Sequence, residues 1–167
     1  MDIIEAINFL NKQISNPSKE LPKEIFLFVS RITPLVNVDL LIRDEKGRTL
    51  LAWRDDKYAG RGWHLPGGIV RFKERLEARI QKVAKEEIGV LVKPDPVPLA
   101  INQIICRHRT RGHFISFLYH CFLSSSFVPK NKGLKEKHPG YLKWHKNCPR
   151  NLIKAHQIYR KYIIHGK

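Results

Sequence analysis

The segment between residues 68 and 90 constrains the fold of this chain more than any other. It reads GIVRFKERLEARIQKVAKEEIGV and follows the turn sequence LPGG, which ends at Gly68. Apolar residues recur every three or four positions after Glu74, which predicts an amphipathic helix over residues 74–88. Gly89 marks the end of this helix, because glycine readily adopts the left-handed conformation that terminates many helices. The sequence therefore places a glycine-rich turn beside one face of a helix.

The end of this helix combines two adjacent carboxylates, those of Glu86 and Glu87. Adjacent residues of an α-helix point about 100° apart, so one cation contacts both only if it lies between their directions. Mg²⁺ suits such a site, because it takes a few oxygen ligands from the protein and keeps waters and substrate phosphates as the others. The alternative is an ordinary charged surface on which Lys82 pairs with Glu86 four residues later.

The overall composition is that of one globular domain. The chain has 167 residues, of which 43% are hydrophobic, and this length is sufficient to bury a substantial core. No apolar run approaches the roughly 20 residues that span a bilayer, and acidic residues near the start argue against a signal peptide. Three widely spaced cysteines form no CxxC pair, so neither a disulfide framework nor a zinc site is indicated. We therefore predict a cytoplasmic protein without a membrane partner.

The formal charge of +16 is distributed unevenly along the chain. Residues 130–167 contain eleven lysines and arginines and one acidic residue, Glu136. Such a concentration of positive charge attracts polyanions such as nucleotides, nucleic acid or an anionic membrane. The alternative is a solvated cationic surface that binds nothing specific.

The order of predicted elements favours a mixed sheet with helices packed on it. Two helices come first, over residues 1–15 and 22–30, and the helix-breaking sequence NPS separates them. Apolar runs and turn signals then predict five strands, and a further helix closes the chain. The predicted strands cover residues 34–42, 49–54, 97–107, 112–122 and 141–145, and the closing helix covers residues 148–164.

Residues 68–90 resemble the Nudix box, whose pattern is Gx5Ex7REUxEExGU, where U is aliphatic. Six positions match in register, namely Gly68, Glu74, Glu86, Glu87, Gly89 and Val90. Lys82 replaces the arginine of the pattern, and Val83 replaces the glutamate that follows it. The resemblance implies a Nudix-type α/β/α sandwich with a central mixed β-sheet. We expect residues 33–167 to form this domain, and residues 1–32 to be an extra N-terminal helical extension.

Val83 indicates one branch of that family, because Nudix hydrolases that attack phosphorus usually need a carboxylate at this position. The GDP-mannose mannosyl hydrolases lack it, bind a single Mg²⁺ and direct water to C1 of the sugar. Three further segments resemble that branch: TPLVNVD at residues 33–39, LLAWR at 50–54 and EKHPGY at 136–141. The resemblance therefore implies a Mg²⁺-dependent hydrolase of a nucleotide sugar similar to GDP-mannose or GDP-glucose, with Mn²⁺ as an alternative metal.

The resemblance also implies the residues that bind the metal. Glu87 and the carbonyl of Gly68 match the metal ligands of that branch, and Glu86 and Glu74 are further candidate ligands. Lys137 stands where the branch has a glutamine that helps to bind the metal, and a protonated lysine does not bind Mg²⁺. We therefore expect a rearranged metal site in which Glu86 replaces the lost ligand.

Four residues are implied to act on the substrate. Arg54 would bind the diphosphate, with Lys82 at the place of a second arginine, and Asp39 would hydrogen-bond the sugar. His138 would be the general base, since an unperturbed histidine titrates near neutral pH. Attack by water opposite the leaving diphosphate would invert the anomeric centre.

The remaining histidines and one basic loop are interpreted as ordinary surface or structural features. His64, His108, His113 and His120 do not form a recognisable cluster in the sequence. The loop RHRTRG at residues 107–112 is interpreted as a solvated hairpin tip, and a contact with the phosphates or the nucleotide is the alternative.

Three functions remain open at the level of the sequence. A nucleotide-sugar hydrolase acting at the sugar carbon would release an inverted free sugar and a nucleoside diphosphate. A phosphoanhydride-cleaving Nudix enzyme would release a nucleoside monophosphate and a sugar 1-phosphate. A non-catalytic module would bind nucleotides or nucleic acid through the basic C-terminal quarter. The branch that the chain resembles is dimeric, so a homodimer is an expectation from resemblance alone.

Overall fold

The computed structural model describes residues 2–164, and Met1, the first residue of the first predicted helix, lies outside them. Helix α1 (Ile3–Gln13) begins at a capping box. The Asp2 side chain accepts a hydrogen bond from the Glu5 N–H at 2.8 Å, and the Glu5 side chain accepts one from the Asp2 N–H at 2.9 Å. These two bonds satisfy backbone donors that the first turn of a helix leaves unpaired. No residue of α1 is buried, so local capping rather than core packing defines where this helix begins.

Helix α2 (Lys23–Ile32) connects the N-terminal segment to the sheet. It begins one residue later than predicted, because Pro22 has an extended conformation and precedes the first turn. The helix buries Ile25 and Ser30, and its C-terminal end leads directly into the first strand.

A mixed β-sheet forms the centre of the fold. Within residues 2–164 its eight strands are β1 (Leu35–Arg43), β2 (Thr49–Asp56), β3 (Gly60–His64), β4 (Gly67–Ile69), β5 (Lys93–Pro94), β6 (Ala100–Ile105), β7 (His113–Phe122) and β8 (Leu142–His145). The main path through the sheet is β3-β2-β1-β7-β5, while β4 pairs with β1, β6 with β7 and β8 with β2. Strand β1 runs parallel to β7 and antiparallel to β2 and β4, which makes the sheet mixed.

The two faces of β1 pack against different layers, because neighbouring side chains of a strand point to opposite faces. Leu40 belongs to a buried cluster that includes Ile80 of helix α3 (Leu76–Val83). Leu41 belongs to a second cluster that includes Tyr159 of the C-terminal segment. The sheet therefore lies between two layers, and the predicted α/β/α sandwich with a central mixed sheet and an additional N-terminal helix is confirmed.

Helix α3 does not end at Val83 but widens into a π-helical turn over Ala84–Ile88. The N–H of Gly89 donates a hydrogen bond to the carbonyl of Ala84 at 3.0 Å, which is the five-residue spacing of a π-turn. Gly89 has a φ of 88°, the left-handed conformation that the sequence predicts for the end of the helix. Turns of this kind are rare and are frequent at functional sites.

The C-terminal segment differs from the single helix predicted over residues 148–164. The observed elements are a 3₁₀ helix (Lys154–Tyr159) and the short helix α4 (Arg160–Ile164). The Trp63 N–H donates to the carbonyl of Asn151 at 2.9 Å, and the Ile153 N–H donates to the carbonyl of Trp63 at 2.9 Å. The prediction of one continuous helix was wrong because the chain at residues 151–153 pairs with Trp63 of β3 and is therefore extended.

The glycine-rich segment predicted as a loop contains β3 and β4. Gly67 and Gly68 pair with Asp39 and Val38 of β1, and a Cβ on Gly67 would lie 2.3 Å from Oδ1 of Asp39. Glycine is therefore needed for this close approach. None of the helices described is both long and apolar enough to cross a membrane.

Candidate active site

A cavity of about 300 Å³ lies where β1, β4 and the end of α3 meet. Its wall contains charged side chains of both signs: Arg54, Arg79, Arg111, Glu86 and Glu87. Strand β2 supplies Arg54, and the π-helical turn at the end of α3 supplies the two glutamates. A cleft of this composition is suited to bind an anion together with a cation.

Three of the four predicted metal ligands, Gly68, Glu86 and Glu87, line this cavity. Oε1 of Glu87 accepts a hydrogen bond from the Gly67 N–H at 3.3 Å, which fixes the side chain beside the glycine turn. Glu86 is exposed at the rim. The structure therefore brings both carboxylates and the glycine turn to one cleft.

His64 is the neighbour of these carboxylates that the sequence did not single out. Its Nδ1 lies 2.9 Å from the carbonyl of Ala52, and a carbonyl only accepts, so Nδ1 carries the proton. Nε2 is then an acceptor in the neutral ring, and it lies 3.7 Å from Oε2 of Glu87. The sequence signal was its position at the end of a strand directly before the LPG turn.

Glu74, the fourth predicted ligand, is engaged elsewhere. Its Oε2 accepts hydrogen bonds from Nε of Arg79 at 2.7 Å and from the Arg71 N–H at 2.9 Å. Burial alone would raise the pKa of Glu74, but these hydrogen bonds lower it below the ordinary value. Arg79 is 4% exposed, so this ion pair fixes the loop before α3 to the helix.

Val83, which replaces the family's glutamate, belongs to the core. It is 2% exposed, and a Cβ on Gly68 would lie 2.7 Å from its Cγ2. The valine therefore packs directly behind the glycine turn. The position at which phosphorus-attacking relatives have a carboxylate is therefore apolar here, and the valine forms part of the inner wall of the cleft.

The cationic residues are distributed differently from the prediction. Arg54 lies in the cleft, and its Nε donates to Oδ2 of Asp56 at 2.5 Å. Lys82 is exposed and is not part of the cleft wall. Arg79 and Arg111 line the cleft instead. Arg79 lies three residues before Lys82, nearly one turn of α3, and Arg111 comes from the basic loop that was interpreted as a solvated tip.

Asp39 lines the cleft, but one of its oxygens serves the fold. Its Oδ2 accepts hydrogen bonds from Oγ of Ser116 at 2.5 Å and from the hydroxyl of Tyr159 at 2.6 Å. Burial and the nearby Asp39 carboxylate raise the pKa of Tyr159 above its usual value, which keeps the phenol a donor. Only Oδ1 of Asp39 remains for a ligand.

His156 lies beside Asp39 as a neutral histidine. Its Nδ1 accepts a hydrogen bond from the Leu65 N–H at 3.1 Å, so the proton of the neutral ring is on Nε2, which lies 3.9 Å from Oδ1 of Asp39. This contact has the geometry of a weak ion pair, but burial lowers the pKa of His156 to about 4 despite the opposing effect of Asp39. Because the accepting Nδ1 also requires an unprotonated ring, we assign the neutral form near pH 7.

The low pKa of His156 predicts a loss of stability in mild acid. Its pKa in the unfolded chain is about 6.5, so the stabilising effect is complete above that value and is lost as pH falls towards 4. The full loss is about 3 kcal/mol in the free energy of unfolding. At pH 5.0, about 1.5 pH units below the unfolded value, we expect urea unfolding to reveal about 2 kcal/mol of this loss relative to pH 7.5 in the wild type, and a smaller loss in His156→Gln. An equal pH dependence in both proteins would contradict the assignment.

His138 lies apart from the cleft in this structure. It is exposed in the long loop between β7 and β8, and its Nδ1 lies 3.2 Å from the carbonyl of Pro139. The preceding residue, Lys137, has a φ of 69°, so a left-handed turn precedes the histidine. The structure therefore does not bring the predicted base to the carboxylates.

The metal-binding capacity of the cleft rests on oxygen donors. Among residues 2–164, no three His, Cys, Asp or Glu side chains are arranged to bind one metal ion. Glu86, Glu87 and the carbonyl of Gly68 nevertheless suit Mg²⁺, which is often bound by one or two carboxylates plus waters and substrate phosphates. These residues fit a metal that is bound together with a phosphorylated ligand.

The fold and the cleft define a class of proteins: α/β/α sandwiches in which carboxylates at a helix end and arginines face a common anion-binding site. The sequence model described as the NUDIX domain matches residues 33–161. The chain therefore belongs to the Nudix family. Hydrolases of this family generally use divalent metal ions and act on small-molecule nucleotide derivatives.

Three similar proteins illustrate this membership. The Low-salt glycan biosynthesis protein Agl8 of Haloferax volcanii is 38% identical over 78 residues, which are 47% of this chain and 49% of that protein, so the match spans about half the length of that relative. The MutT protein of Methanosarcina mazei is 26% identical, with a TM-score of 0.51 over 68% of this chain and 78% of that one. A MutT NUDIX hydrolase from Burkholderia pseudomallei, 24% identical, has the same fold, with a TM-score of 0.62 over 77% and 97% of the two chains.

Proposed function

We propose that this protein is a divalent-metal-dependent hydrolase of a nucleoside-diphosphate sugar similar to GDP-mannose or GDP-glucose. Water would attack C1 of the sugar and release a free sugar and a nucleoside diphosphate. The burial of Val83 supports this proposal most directly, because the carboxylate that relatives use for attack at phosphorus is replaced by a core side chain. The Haloferax relative is named for glycan biosynthesis, which supports a substrate that contains a sugar.

The two glutamates at the end of α3 have the central role in this proposal. Glu87, Glu86 and the carbonyl of Gly68 would bind the metal, which neutralises the diphosphate leaving group when it is bound. Glu74 was predicted as a further ligand, but its bonds to Arg79 give it a supporting role in the proposal. Glu74 would fix the loop that precedes the helix.

Arg54 and Asp39 would orient the two ends of the substrate. A guanidinium at the edge of the cleft is suited to a bidentate contact with the diphosphate, so Arg54 keeps its predicted role. Lys82 could contribute only a longer-range charge from its exposed position. Oδ1 of Asp39 would accept a hydrogen bond from a sugar hydroxyl, because Oδ2 is already used by Ser116 and Tyr159.

Two histidines are candidates for the general base. His138 is implied by the resemblance. Pro139 and Gly140 of its loop line a cavity together with Glu86 and Glu87, but His138 does not line it, so its side chain would have to turn towards the carboxylates to act. His64 is already in place: its Nε2 is the acceptor nitrogen of a ring whose Nδ1 is fixed by a backbone carbonyl. A water between His64 and the sugar carbon could transfer a proton to Nε2 as it attacks.

The bond that is broken can be identified with ¹⁸O-labelled water. We expect GDP-mannose or GDP-glucose to give free, inverted sugar with the label on C1, as detected by NMR. Label on phosphate, with GMP and a sugar 1-phosphate as products, would contradict the proposal. The observation that favours this second outcome is that Glu86, Glu87 and His64 line one cleft, from which a water could also attack a phosphate.

The base is identified by comparing two substitutions under the same conditions. We expect the variant that removes the base, His64→Gln or His138→Gln, to lower kcat by about 10²-fold or more and to abolish the acidic limb of the pH–rate profile. The other variant provides the matched control. The placement of the side chains favours His64, and a normal kcat in His64→Gln would return the role to His138.

Three further expectations stay predictions. They are the division of the chain after residue 32, the cytoplasmic location and the homodimer. The family match begins at residue 33, directly after α2, which leaves both N-terminal helices outside the matched region.

A further inference from the structure

The N-terminal extension contributes to a second cavity that adjoins the active-site cleft. This cavity has a volume of about 640 Å³ and lies between the segment that connects α1 with α2 and strand β4. Ile69, Arg71 and Arg111 belong to the walls of both cavities. A ligand of sufficient length could therefore extend from the carboxylates into the second cavity past two guanidinium groups.

Arg111 is positioned by residues that lie outside the glycine-rich turn and α3. Its guanidinium carbon lies 5.8 Å from the ring centroid of Phe26 in α2 and 4.8 Å from that of Tyr58. Its backbone N–H donates to Oγ of Ser30 at 3.3 Å, and its φ of 55° is uncommon for a residue other than glycine. Backbone conformations of this kind occur preferentially at functional sites.

The two shared arginines have unused hydrogen-bonding capacity. Nε of Arg71 and Nε of Arg111 are buried and have no hydrogen-bond partner among residues 2–164. The guanidinium of Arg71 forms a loose ion pair with the exposed Glu20 at 3.9 Å, and no carboxylate of the described residues forms an ion pair with Arg111. Burial, and then the positive charge of Arg54, lower the pKa of Arg111, and the nearby Asp56 carboxylate only partly opposes this effect, so a bound anion would stabilise the guanidinium further.

We propose that the junction of the two cavities is the nucleotide subsite, in which Arg71 and Arg111 bind the phosphates and the nucleoside lies in the second cavity. This inference rests on the proposed function, because it assumes a nucleoside-diphosphate substrate. The wall of the second cavity includes Gln13, Glu20 and Phe26. Their amide, carboxylate and aromatic groups are of the kinds that contact the base and ribose of a nucleoside. The extension thus selects the nucleotide portion of the substrate.

Binding of two ligands by the chain of 167 residues tests the phosphate contacts. Arg111→Gln is compared with Arg109→Gln, an exposed arginine of the same loop that lines neither cavity. We expect Arg111→Gln to weaken the binding of both GDP and inorganic pyrophosphate about 10-fold in calorimetric titrations with Mg²⁺. Arg111→Lys should recover part of the lost affinity. Equal affinities in Arg111→Gln and Arg109→Gln would overturn the assignment.

Filling the second cavity tests the position of the nucleoside. Gln13→Trp adds bulk to its wall, and Asn8→Trp makes the same change on an exposed position of α1 that lines neither cavity. We expect Gln13→Trp to weaken the binding of GDP about 10-fold and to leave the binding of pyrophosphate unchanged. Asn8→Trp should change the affinity for neither ligand. A tryptophan at Gln13 that leaves GDP binding unchanged would place the nucleoside elsewhere.

These titrations involve no turnover, so their failure is distinct from failure of the proposed reaction. Label on phosphate in the ¹⁸O experiment would contradict attack at the sugar carbon. The nucleotide subsite would still be supported if the GDP affinities of the variants change as expected. Conversely, unchanged GDP affinity in Arg111→Gln and Gln13→Trp would contradict the nucleotide subsite, while the ¹⁸O experiment could still demonstrate attack at the sugar carbon.

Discussion

Replacing Glu87 with glutamine is expected to lower kcat/KM for GDP-mannose by about 10³-fold. Glutamine has nearly the same shape, and it can still accept the hydrogen bond from the Gly67 N–H. It lacks the negative charge that would bind a divalent metal and that faces Nε2 of His64. The loss is measured by NMR from initial rates of sugar release at saturating Mg²⁺.

A matched control for this variant is available on the same helix. Glu77 is exposed, and its contact with Arg75 is a loose surface pair at 3.8 Å, so Glu77→Gln removes the same charge outside the cleft and should leave kcat/KM within about twofold. Binding of Mn²⁺ in the presence of GDP, followed by electron paramagnetic resonance, gives a readout that does not depend on turnover. Normal Mn²⁺ affinity in Glu87→Gln would contradict a role for this carboxylate in metal binding.

Restoring the family's glutamate by Val83→Glu is expected to destabilise the fold rather than to improve catalysis. The valine is 2% exposed and packs behind Gly68 at the inner wall of the cleft, so a carboxylate there would be largely removed from water and crowded by the core. We expect the free energy of unfolding to fall by about 4 kcal/mol at pH 7.5, as measured by urea denaturation.

Two comparisons separate the charge from the size of the new side chain. Val83→Gln introduces the same bulk without a charge, so it should destabilise the protein less at pH 7.5. A buried carboxyl group has a raised pKa and becomes neutral at lower pH, so the difference between Val83→Glu and Val83→Gln should shrink at pH 5.0. If Val83→Glu retained wild-type stability and bound Mn²⁺ more tightly, the cleft wall would accommodate a carboxylate at position 83 as a metal ligand, and the expected destabilisation would be wrong.

The parts of the site that sequence reasoning predicted are those encoded within one segment. Gly68, Glu86 and Glu87 belong to a turn and helix whose spacing fixes their relation, and the structure brings them to one cavity. Five of the eight strands described were recognised for a similar reason, because apolar runs and turn signals mark them along the sequence, whereas β3, β4 and β5 were not predicted. Local periodicity is sufficient for features of this kind.

The features that were not predicted depend on contacts between distant segments. The C-terminal helix was overestimated because Asn151 and Ile153 pair with Trp63, some ninety residues earlier. Arg111 lies in the cleft because α2 and the β2–β3 turn enclose its loop, and His64 faces Glu87 because its ring is anchored on β2.

The π-turn at the end of α3 changes which residues of the helix face the core and which face the cleft. Seven residues make almost two turns of an α-helix, so a regular helix would direct Glu87 to the same buried face as Ile80. A π-turn has more residues per turn than an α-helix, so each later side chain is rotated back by about one residue position. Ile88 therefore faces the core in place of Glu87. Glu87 then points in nearly the same direction as Val83, towards the glycine turn. Deleting one residue from this turn would therefore exchange the positions of an acid and an aliphatic side chain, and would affect folding and catalysis together.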